Sequence, residues 1–382
     1  MHRQTWTRHQ RVMSRLAFAA SLVMCAFWLV PAFAQAQEND GQVRIQGQPF
    51  DPNVEELIPE DPFAPGVSLD FREMMRELVQ SISTYGRSLN PNFVILTQGS
   101  LDLIGKINPE DDTLVFPART YMRAIDGVLE PKLLSQIQTP PDEDPKKVDP
   151  TLLIKRASTI ANIKMAQQFG LKVFDLEFAT KVAEIDKIYR TSAKHSFVPF
   201  VAQSPVLADI PRYPPVPSAF NANPKSVADP AQVQNFLYIA NSQGLGLARD
   251  FVQTVRNTNH DMIIVDVFHG NEPLTKFDVE VMQYKKLGSR RLVLAQLDLA
   301  SAASYHFYWK PGWRQGSPAF IGAPYLDDPD SYRTLYWNPA WQALLFGDFN
   351  SYLYGIIDLG FDGVVLKGID AWRYFESGGE QQ

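Results

Sequence analysis

Lys367 is the residue whose position most directly raises a question of chemistry. It ends the apolar run of residues 363–366 within GFDGVVLKGIDAWRYFE, where a barrel enzyme exposes reactive groups at the end of a buried strand. Its ammonium group could neutralise nearby carboxylates, since an unpaired buried charge is costly. It could also form a Schiff base with a carbonyl substrate, or bind a carboxylate or sulfate of an anionic ligand. The sequence leaves these three roles open.

Carboxylates and amides follow or end other apolar runs. They are Gln98, Asp126, Glu130, Asp175, Glu177, Asp266, Gln296, Asp298 and Asp370. Because the carboxyl ends of parallel barrel strands meet at one face, we expect these side chains to gather with Lys367 around one mouth. A lone acid in such a place is more often a loop cap or half of a salt bridge, so the cluster carries more weight than any member.

Alternating helical and strand patterns must position these groups. From residue 70, segments with apolar residues at steps of three and four alternate with short continuous apolar runs such as NFVILTQG. Eight such runs, separated by helical segments, predict a parallel sheet buried on both faces. The fold class is therefore α/β, a (β/α)8 TIM barrel forming one domain over residues 70–382. We expect a long loop over residues 300–338 and a single helix over residues 339–360.

Aromatic residues concentrate in the last quarter of the chain, and flat rings can stack on sugar faces while their polar edges stay hydrated. Trp341 has helical spacing with Leu344 and Leu345, so we expect it in the core. Trp309 and Trp313 lie in the predicted long loop, together with Tyr305. Since loops on a rigid barrel often carry function, these three are candidates for ligand binding.

The N-terminal sequence predicts export. Four arginines precede an apolar run over residues 16–29, which leads to the small-residue stretch PAFAQAQ. This pattern predicts a secretory signal peptide over residues 1–36, with cleavage after Ala34 or Ala36 into a periplasmic or extracellular compartment. Residues 37–69 mix Pro, Gly and acids without hydrophobic period, which predicts a flexible tether. Cys25, the only cysteine, lies in the leader.

The charge balance bears on the partners. The leader holds 4 basic and no acidic residues, so the remaining chain has 36 − 4 = 32 basic and 42 acidic residues, a net charge of −10. This balance argues against nucleic acid or an anionic lipid surface as partner. We expect a monomer without a transmembrane segment. No motif implies a cofactor or a metal site.

Several segments together resemble a known family. Within residues 235–376, GFDGVVLKGIDAWRYFE, YHFYW, YWNPAWQALLF and MIIVDVF resemble the first half of the endo-α-1,4-polygalactosaminidase-like glycoside hydrolases, family 114. Within residues 70–208, YMRAIDGVLE and VFDLEFA resemble the second half of that family. The halves occur in reversed order, which implies a circular permutation joined through residues 209–234. A closed ring of strands permits such a change. The strands near residues 92–99 and 361–369 should then pair in parallel.

Three acids implied by this resemblance are replaced. Lys367 stands where the family motif resembles GFDGVYLD, and Ser301 and Ala303 stand where it has glutamates. Glycoside hydrolysis uses two carboxylates, about 5–5.5 Å apart for retention or roughly 6.5–9.5 Å for inversion. Asp266 and Glu130 match the remaining family acids best, so they are the expected catalytic pair.

The resemblance implies an exported carbohydrate-active barrel that hydrolyses, or formerly hydrolysed, glycosidic bonds of an amino-sugar polysaccharide. The alternative is a catalytically silent polysaccharide-binding or scaffold protein on the same barrel. The residues expected to contact a polysaccharide or oligosaccharide are Gln98, Asp126, Asp175, Glu177, Asp298, Tyr305, Trp309, Trp313, Lys367 and Asp370.

Overall fold

A computed structural model of the protein describes residues 62–63, 69–108, 110–138 and 148–379. The predicted signal peptide and nearly all of the predicted tether lie outside the described residues. Within these ranges, no helix combines the length and the apolar character needed to cross a bilayer.

Eight parallel strands form the centre of the fold, as the sequence predicts. They are β1 (Val94–Gln98), β2 (Gly127–Pro131), β3 (Lys172–Phe178), β4 (Val198–Ala202), β5 (Phe236–Ile239), β6 (Met262–Val265), β7 (Leu292–Asp298) and β8 (Gly363–Lys367). Their continuous apolar sequences suit strands that are covered on both faces. Nearly every residue of these strands is buried.

The order of the strands around the barrel follows their order in the chain. It runs β4-β3-β2-β1-β8-β7-β6-β5, so the first and last strands of the chain pair in parallel, with Val94 opposite Gly363. The edge strands β4 and β5 lie side by side, although no hydrogen-bonded ladder joins them among the described residues. The barrel is thus nearly closed, and its seam falls in the middle of the chain.

Helices between the strands cover the barrel. They are α1 (Phe71–Leu89), α2 (Arg119–Ala124), α3 (Leu133–Ile137), α4 (Pro150–Gln168), α5 (Val182–Lys194), α6 (Ala248–Arg256), α7 (Lys276–Met282), α8 (Pro339–Leu345), α9 (Tyr352–Asp358) and α10 (Trp372–Glu376). The side chain of Asp70 caps α1 by accepting the Glu73 N–H at 2.9 Å. Phe63, in the predicted tether, stacks on Phe375 of α10 with 6.0 Å between ring centroids.

The single helix predicted over residues 339–360 is two helices, α8 and α9. Gly347 between them has φ +123°, a conformation that suits glycine and ends a helix. Ser351 donates to the Asp348 carbonyl at 2.6 Å and so fixes the turn that precedes α9.

Irregular segments contain further short strands. Gly105–Asn108 pairs with Asp111–Pro117, and Phe268–His269 pairs with Glu272–Pro273. The predicted long loop folds into a three-stranded antiparallel sheet of Ser301–Ala303, Ser331–Thr334 and Ile321–Pro324. Trp341 is fully buried, as predicted, and its indole N–H donates to the Leu299 carbonyl at 2.7 Å.

A buried ion pair near the amino end of β6 contacts the segment that joins the two halves of the barrel. Lys285 and Asp261 form an ion pair of 2.5 Å in which both side chains are fully buried. The Lys285 ammonium also donates to the carbonyls of Asn223 and Lys225, at 3.1 and 2.8 Å. Asn223 in turn donates to the Asp261 carboxylate. A buried charge network thus connects the joint to the barrel.

Candidate functional site

An open cleft of about 590 Å³ lies over the carboxyl ends of β5, β6, β7 and β8. Of the site residues predicted from the sequence, Asp266, Asp298, Tyr305 and Lys367 line this cleft. The residues that line it all fall between positions 240 and 367. The half of the barrel that comes later in the chain therefore builds the site.

Two aspartates hold fixed positions at the base of the cleft. Asp266 follows β6 and accepts the Phe268 N–H at 2.8 Å, and it also accepts a short hydrogen bond from the Gln296 side-chain amide. Asp298 ends β7 and accepts the Ala300 N–H at 3.0 Å through Oδ1. Within the described part of the chain, Oδ2 of Asp298 accepts no hydrogen bond. One oxygen of Asp298 is thus left for a ligand.

Gln98 lies below the cleft, inside the barrel. Tyr238 of β5 places its hydroxyl 3.3 Å from the Oε1 atoms of both Gln98 and Gln296. Burial, with the charges of Asp266 and Asp298, raises the pKa of Tyr238, so its hydroxyl stays protonated. Gln98 itself does not line the cleft.

Lys367 lies beside Asp298, its register partner on the neighbouring strand. It is half-buried and lines the cleft. Across the described ranges, its ammonium group forms no ion pair with a carboxylate, so the neutralising contact that is one of its three possible roles is not formed. The charge of Lys367 acts across the cleft and remains accessible to a ligand.

An aromatic wall bounds the cleft and contains a histidine that the sequence reasoning did not select. His306 stacks on Tyr308 and Tyr305, with ring centroids 5.0 and 5.8 Å apart. Burial lowers the pKa of His306, although Asp266 and Asp298 oppose this shift. Its imidazole is therefore mostly neutral near pH 7. Its position in YHFYW, between Tyr305 and Phe307, is the sequence feature that could have identified it.

Trp309 and Trp313 do not line the cleft, contrary to the sequence-based expectation. Trp309 stacks on Tyr332 at 5.3 Å and meets Trp313 edge-on at 5.5 Å. Trp313 also packs edge-on against Phe320. These rings hold the small three-stranded sheet together, whereas Tyr305 is exposed at the cleft.

Glu130 is buried and does not line the cleft, so the structure does not bring it together with Asp266 there. Its Oε1 accepts the N–H groups of Ser100 and Leu101 at 2.8 and 3.0 Å. It therefore fixes the turn that follows β1. Burial raises the pKa of this carboxyl to about 8.

Asp126 and Asp370 also do not line the cleft. Asp126 precedes β2 and accepts from the Ile95 N–H and from Arg87, at 2.8 and 2.9 Å. It thus lies at the amino end of the barrel, away from the mouth. Asp370 follows β8 in a short turn and is exposed beside the cleft without lining it.

Asp175 and Glu177 project from β3 away from the barrel interior. Phe174, next to Asp175 and on the opposite face of β3, contacts Phe236 of β5 across the interior. Asp175 instead accepts the hydroxyl of Ser192 on α5 at 2.6 Å. Glu177 accepts the Leu134 N–H of α3 at 2.9 Å. These acids therefore tie helices to the sheet and do not contact the cleft.

The Asp175 carboxyl predicts a pH dependence of stability. Burial, followed by the charge of Glu177, raises its pKa to about 8, so the folded state retains a proton that the unfolded state releases near pH 4. The free energy of unfolding should fall as pH rises from 5 to 8, and Asp175→Asn should remove up to about 3 kcal/mol of this fall. Urea denaturation at both pH values measures it, with exposed Asp209→Asn as control. Equal pH dependence in wild type and Asp175→Asn would contradict the assignment.

Among the described residues, no three His, Cys, Asp or Glu side chains are grouped so that they could hold a metal ion. Together, the fold and the site define a TIM barrel with an acidic and aromatic cleft at the carboxyl ends of four strands.

Comparisons with known proteins give partial matches. No protein-family model matches the chain. It is 30% identical over 128 residues to an uncharacterized protein of Deinococcus radiodurans, and 29% identical over 129 residues to an uncharacterized protein of Methanocaldococcus jannaschii. Each match covers 34% of this chain, and the matches cover 39% and 36% of those relatives. The chain thus matches well under half the length of each relative.

Among solved structures, ligand-free tryptophan synthase from M. tuberculosis overlaps 78% of this chain and 96% of its own, with a TM-score of 0.31 and 12% identity.

Proposed function

We propose that the protein is an exported, carbohydrate-active TIM barrel. It binds an amino-sugar polysaccharide in the cleft over β5 to β8, and Asp266 and Asp298 are its carboxylates for hydrolysis of a glycosidic bond. The proposal replaces Glu130, which does not reach the cleft, with Asp298, which lines it.

One observation carries this proposal. Ser301, Ala303 and Lys367 occupy the three positions where the family resemblance implies acids, and all three line the same cleft as Asp266. Ser301 and Ala303 belong to one motif and Lys367 to another, and all three were selected from sequence motifs alone. Their convergence supports a cleft derived from a glycosidase site.

The two aspartates suit a division of labour between an acid and a base. Asp298 has an oxygen without a hydrogen-bond partner among the described residues, and this oxygen can carry the proton that passes to the leaving glycosidic oxygen. Asp266, held by Phe268 and Gln296, is the carboxylate that attacks the sugar carbon or activates water. Both steps are the usual roles of a glycosidase carboxyl pair.

The remaining surface of the cleft suits a sugar. Tyr305 and Phe307 are exposed there, and their rings can stack on sugar faces. Asp266 and Asp298 attract the ammonium groups of de-acetylated amino sugars.

The lengths of the matches to the two relatives fit a permuted relationship. An alignment that preserves residue order can follow only one half of a permuted barrel. The matched stretches of 128 and 129 residues are close to the length of one half.

The three replaced positions also favour a second function, a polysaccharide-binding protein without hydrolytic activity. In this case Asp266 and Asp298 bind amino groups, and Lys367 stands in place of a catalytic carboxylate. Export and the barrel are common to both functions.

Binding and hydrolysis of partly de-acetylated polygalactosamine test both functions. We expect wild-type protein to bind this polymer, and Asp266→Asn or Asp298→Asn to weaken binding and reducing-end release at least tenfold. Exposed Asp209→Asn is the matched control, and chitosan and neutral galactan are the control polymers. Binding without reducing-end release would select the silent function. Absence of both would overturn the proposal.

A further inference from the structure

A serine and a histidine meet at the edge of the cleft on two neighbouring loops. Ser242 follows β5 and lines the cleft, and His269 follows β6. The Ser242 hydroxyl oxygen lies 2.9 Å from Nδ1 of His269. Nε2 of His269 lies 2.9 Å from the carbonyl oxygen of Gly246. The imidazole thus has one partner on each nitrogen.

These contacts determine which nitrogen of neutral His269 carries the proton. A carbonyl oxygen only accepts hydrogen bonds, so Nε2 must donate to Gly246. Nδ1 of neutral His269 is then unprotonated and accepts the hydroxyl proton of Ser242. This is the arrangement of an activated nucleophile: a hydroxyl, a base that accepts its proton, and a third group that orients the base.

The surroundings hold this arrangement in place. Ser242 is 4% exposed, and His269 stacks on Phe251 of α6 with 5.6 Å between ring centroids. Both residues lie on loops at the carboxyl ends of barrel strands, the face on which barrel enzymes carry their catalytic groups. Neither the aspartate pair nor Lys367 takes part in these contacts.

We propose that Ser242 and His269 form a second catalytic centre, which hydrolyses small acyl esters. The ester linkage follows from the pair itself. Placing the acyl group, such as acetyl, on a hydroxyl of a bound sugar rests on the proposed function. An ester suits this pair better than an amide, because its alkoxide leaving group is more readily expelled and His269 is oriented by a neutral carbonyl instead of a carboxylate.

The reaction balances with water as the only other reactant. Oγ of Ser242 attacks the acyl carbon while Nδ1 of His269 takes the hydroxyl proton. The carbon–oxygen bond of the ester then breaks, and the proton passes from His269 to the leaving sugar oxygen. Water attacks the acyl-serine and gives its proton to His269, which returns it to Oγ as the carboxylic acid leaves.

Side-chain amides beside the pair can bind the negative oxygen of the tetrahedral intermediate. Asn241 and Asn271 both line the cleft. Oδ1 of Asn241 accepts the Gln243 N–H at 3.1 Å, which leaves the two Nδ2 hydrogens as donors. Donors of this kind stabilise charge that develops during acyl transfer.

Hydrolysis of p-nitrophenyl acetate and labelling with a fluorophosphonate probe test the pair. We expect wild-type protein to hydrolyse the ester, and Ser242→Ala and His269→Gln each to lower the rate at least tenfold. Exposed Ser88→Ala and His195→Gln are the matched controls. The probe should label wild-type protein at Ser242, as identified by mass spectrometry of its peptides.

A merely structural role for the Ser242–His269 contact gives a different result. The substitutions would then alter thermal stability, while intact wild-type protein would show no label on Ser242 and no ester hydrolysis above that of Ser242→Ala. That result overturns the second centre whether or not the variants fold well. It leaves the polysaccharide proposal untouched, because that proposal rests on Asp266 and Asp298.

Discussion

Lys285→Met should lower the free energy of unfolding by about 3–5 kcal/mol. The substitution leaves the Asp261 carboxylate in a fully buried position without its counter-charge. It also removes the donor that serves the carbonyls of Asn223 and Lys225. Neither loss is compensated by the apolar volume of methionine. Urea denaturation at pH 7 measures the change.

Lys286→Met is the matched control, because this neighbouring side chain is exposed. We expect its effect to stay within about 0.5 kcal/mol. The double variant Lys285→Met/Asp261→Leu should recover part of the loss, since it removes the stranded charge. If Lys285→Met were no more destabilising than Lys286→Met, the buried pair would not anchor the joint.

This ion pair also explains how the joint between the barrel halves is maintained. Asn223 and Lys225 lie in the joint over residues 209–234, whereas Asp261 directly precedes β6. The seam between β4 and β5 has no hydrogen-bonded ladder in the described chain. The buried charge network at the amino end of β6 therefore connects the joint to the barrel, a connection that the seam between β4 and β5 does not provide.

The positions of the strands were predictable because their apolar runs are continuous. Which of their side chains point into the barrel and which point toward the helices was not predictable. A strand buried on both faces has no alternation of polar and apolar residues to show which side chains point inward. Asp175 and Glu177 are therefore indistinguishable in sequence from acids that face the barrel interior. Contacts with Ser192 and Leu134 place them outside.

The cleft was predictable only in part for a related reason. Asp266, Asp298 and Lys367 end or follow strands directly, so their position along the chain identified them. Ser242 and His306 depend on loop conformation, which follows from tertiary contacts instead of periodicity. Asp126 was expected at the carboxyl ends of the strands but lies at the amino end of β2. A polar residue next to an apolar run can precede the strand as well as follow it.

Lys367→Asp should tighten binding of a cationic galactosamine polymer on the order of a hundredfold at low ionic strength. The charged side chains that line the cleft are Asp266, Asp298 and Lys367, so the substitution changes a net charge of −1 to −3. The gain should shrink as salt is added, because exposed charges are screened. Lys367→Met, which changes the charge by one unit, should give an intermediate affinity. Exposed Lys181→Asp controls for total charge.

Stability and hydrolysis give two further readouts of the same substitution. Asp298 is the register partner of position 367, so two carboxylates on neighbouring strands should repel and lower stability by about 1 kcal/mol. The new carboxylate also restores one acid that the resemblance implies. We therefore expect Lys367→Asp to release reducing ends from partly de-acetylated polygalactosamine faster than wild-type protein.

The outcomes separate three roles for the lysine. Tighter binding with faster hydrolysis would show that Lys367 lowers both the affinity and the hydrolytic rate of a glycosidase site. Tighter binding without hydrolysis in either protein would favour the silent polysaccharide-binding function, because Ser301 and Ala303 would be losses that one substitution cannot repair. An active wild-type protein inactivated by Lys367→Asp would contradict both and make the ammonium group itself functional. Its accessible position beside Asp298, without an ion pair in the described chain, is compatible with all three, so the affinity and the rate must be measured on the same variants.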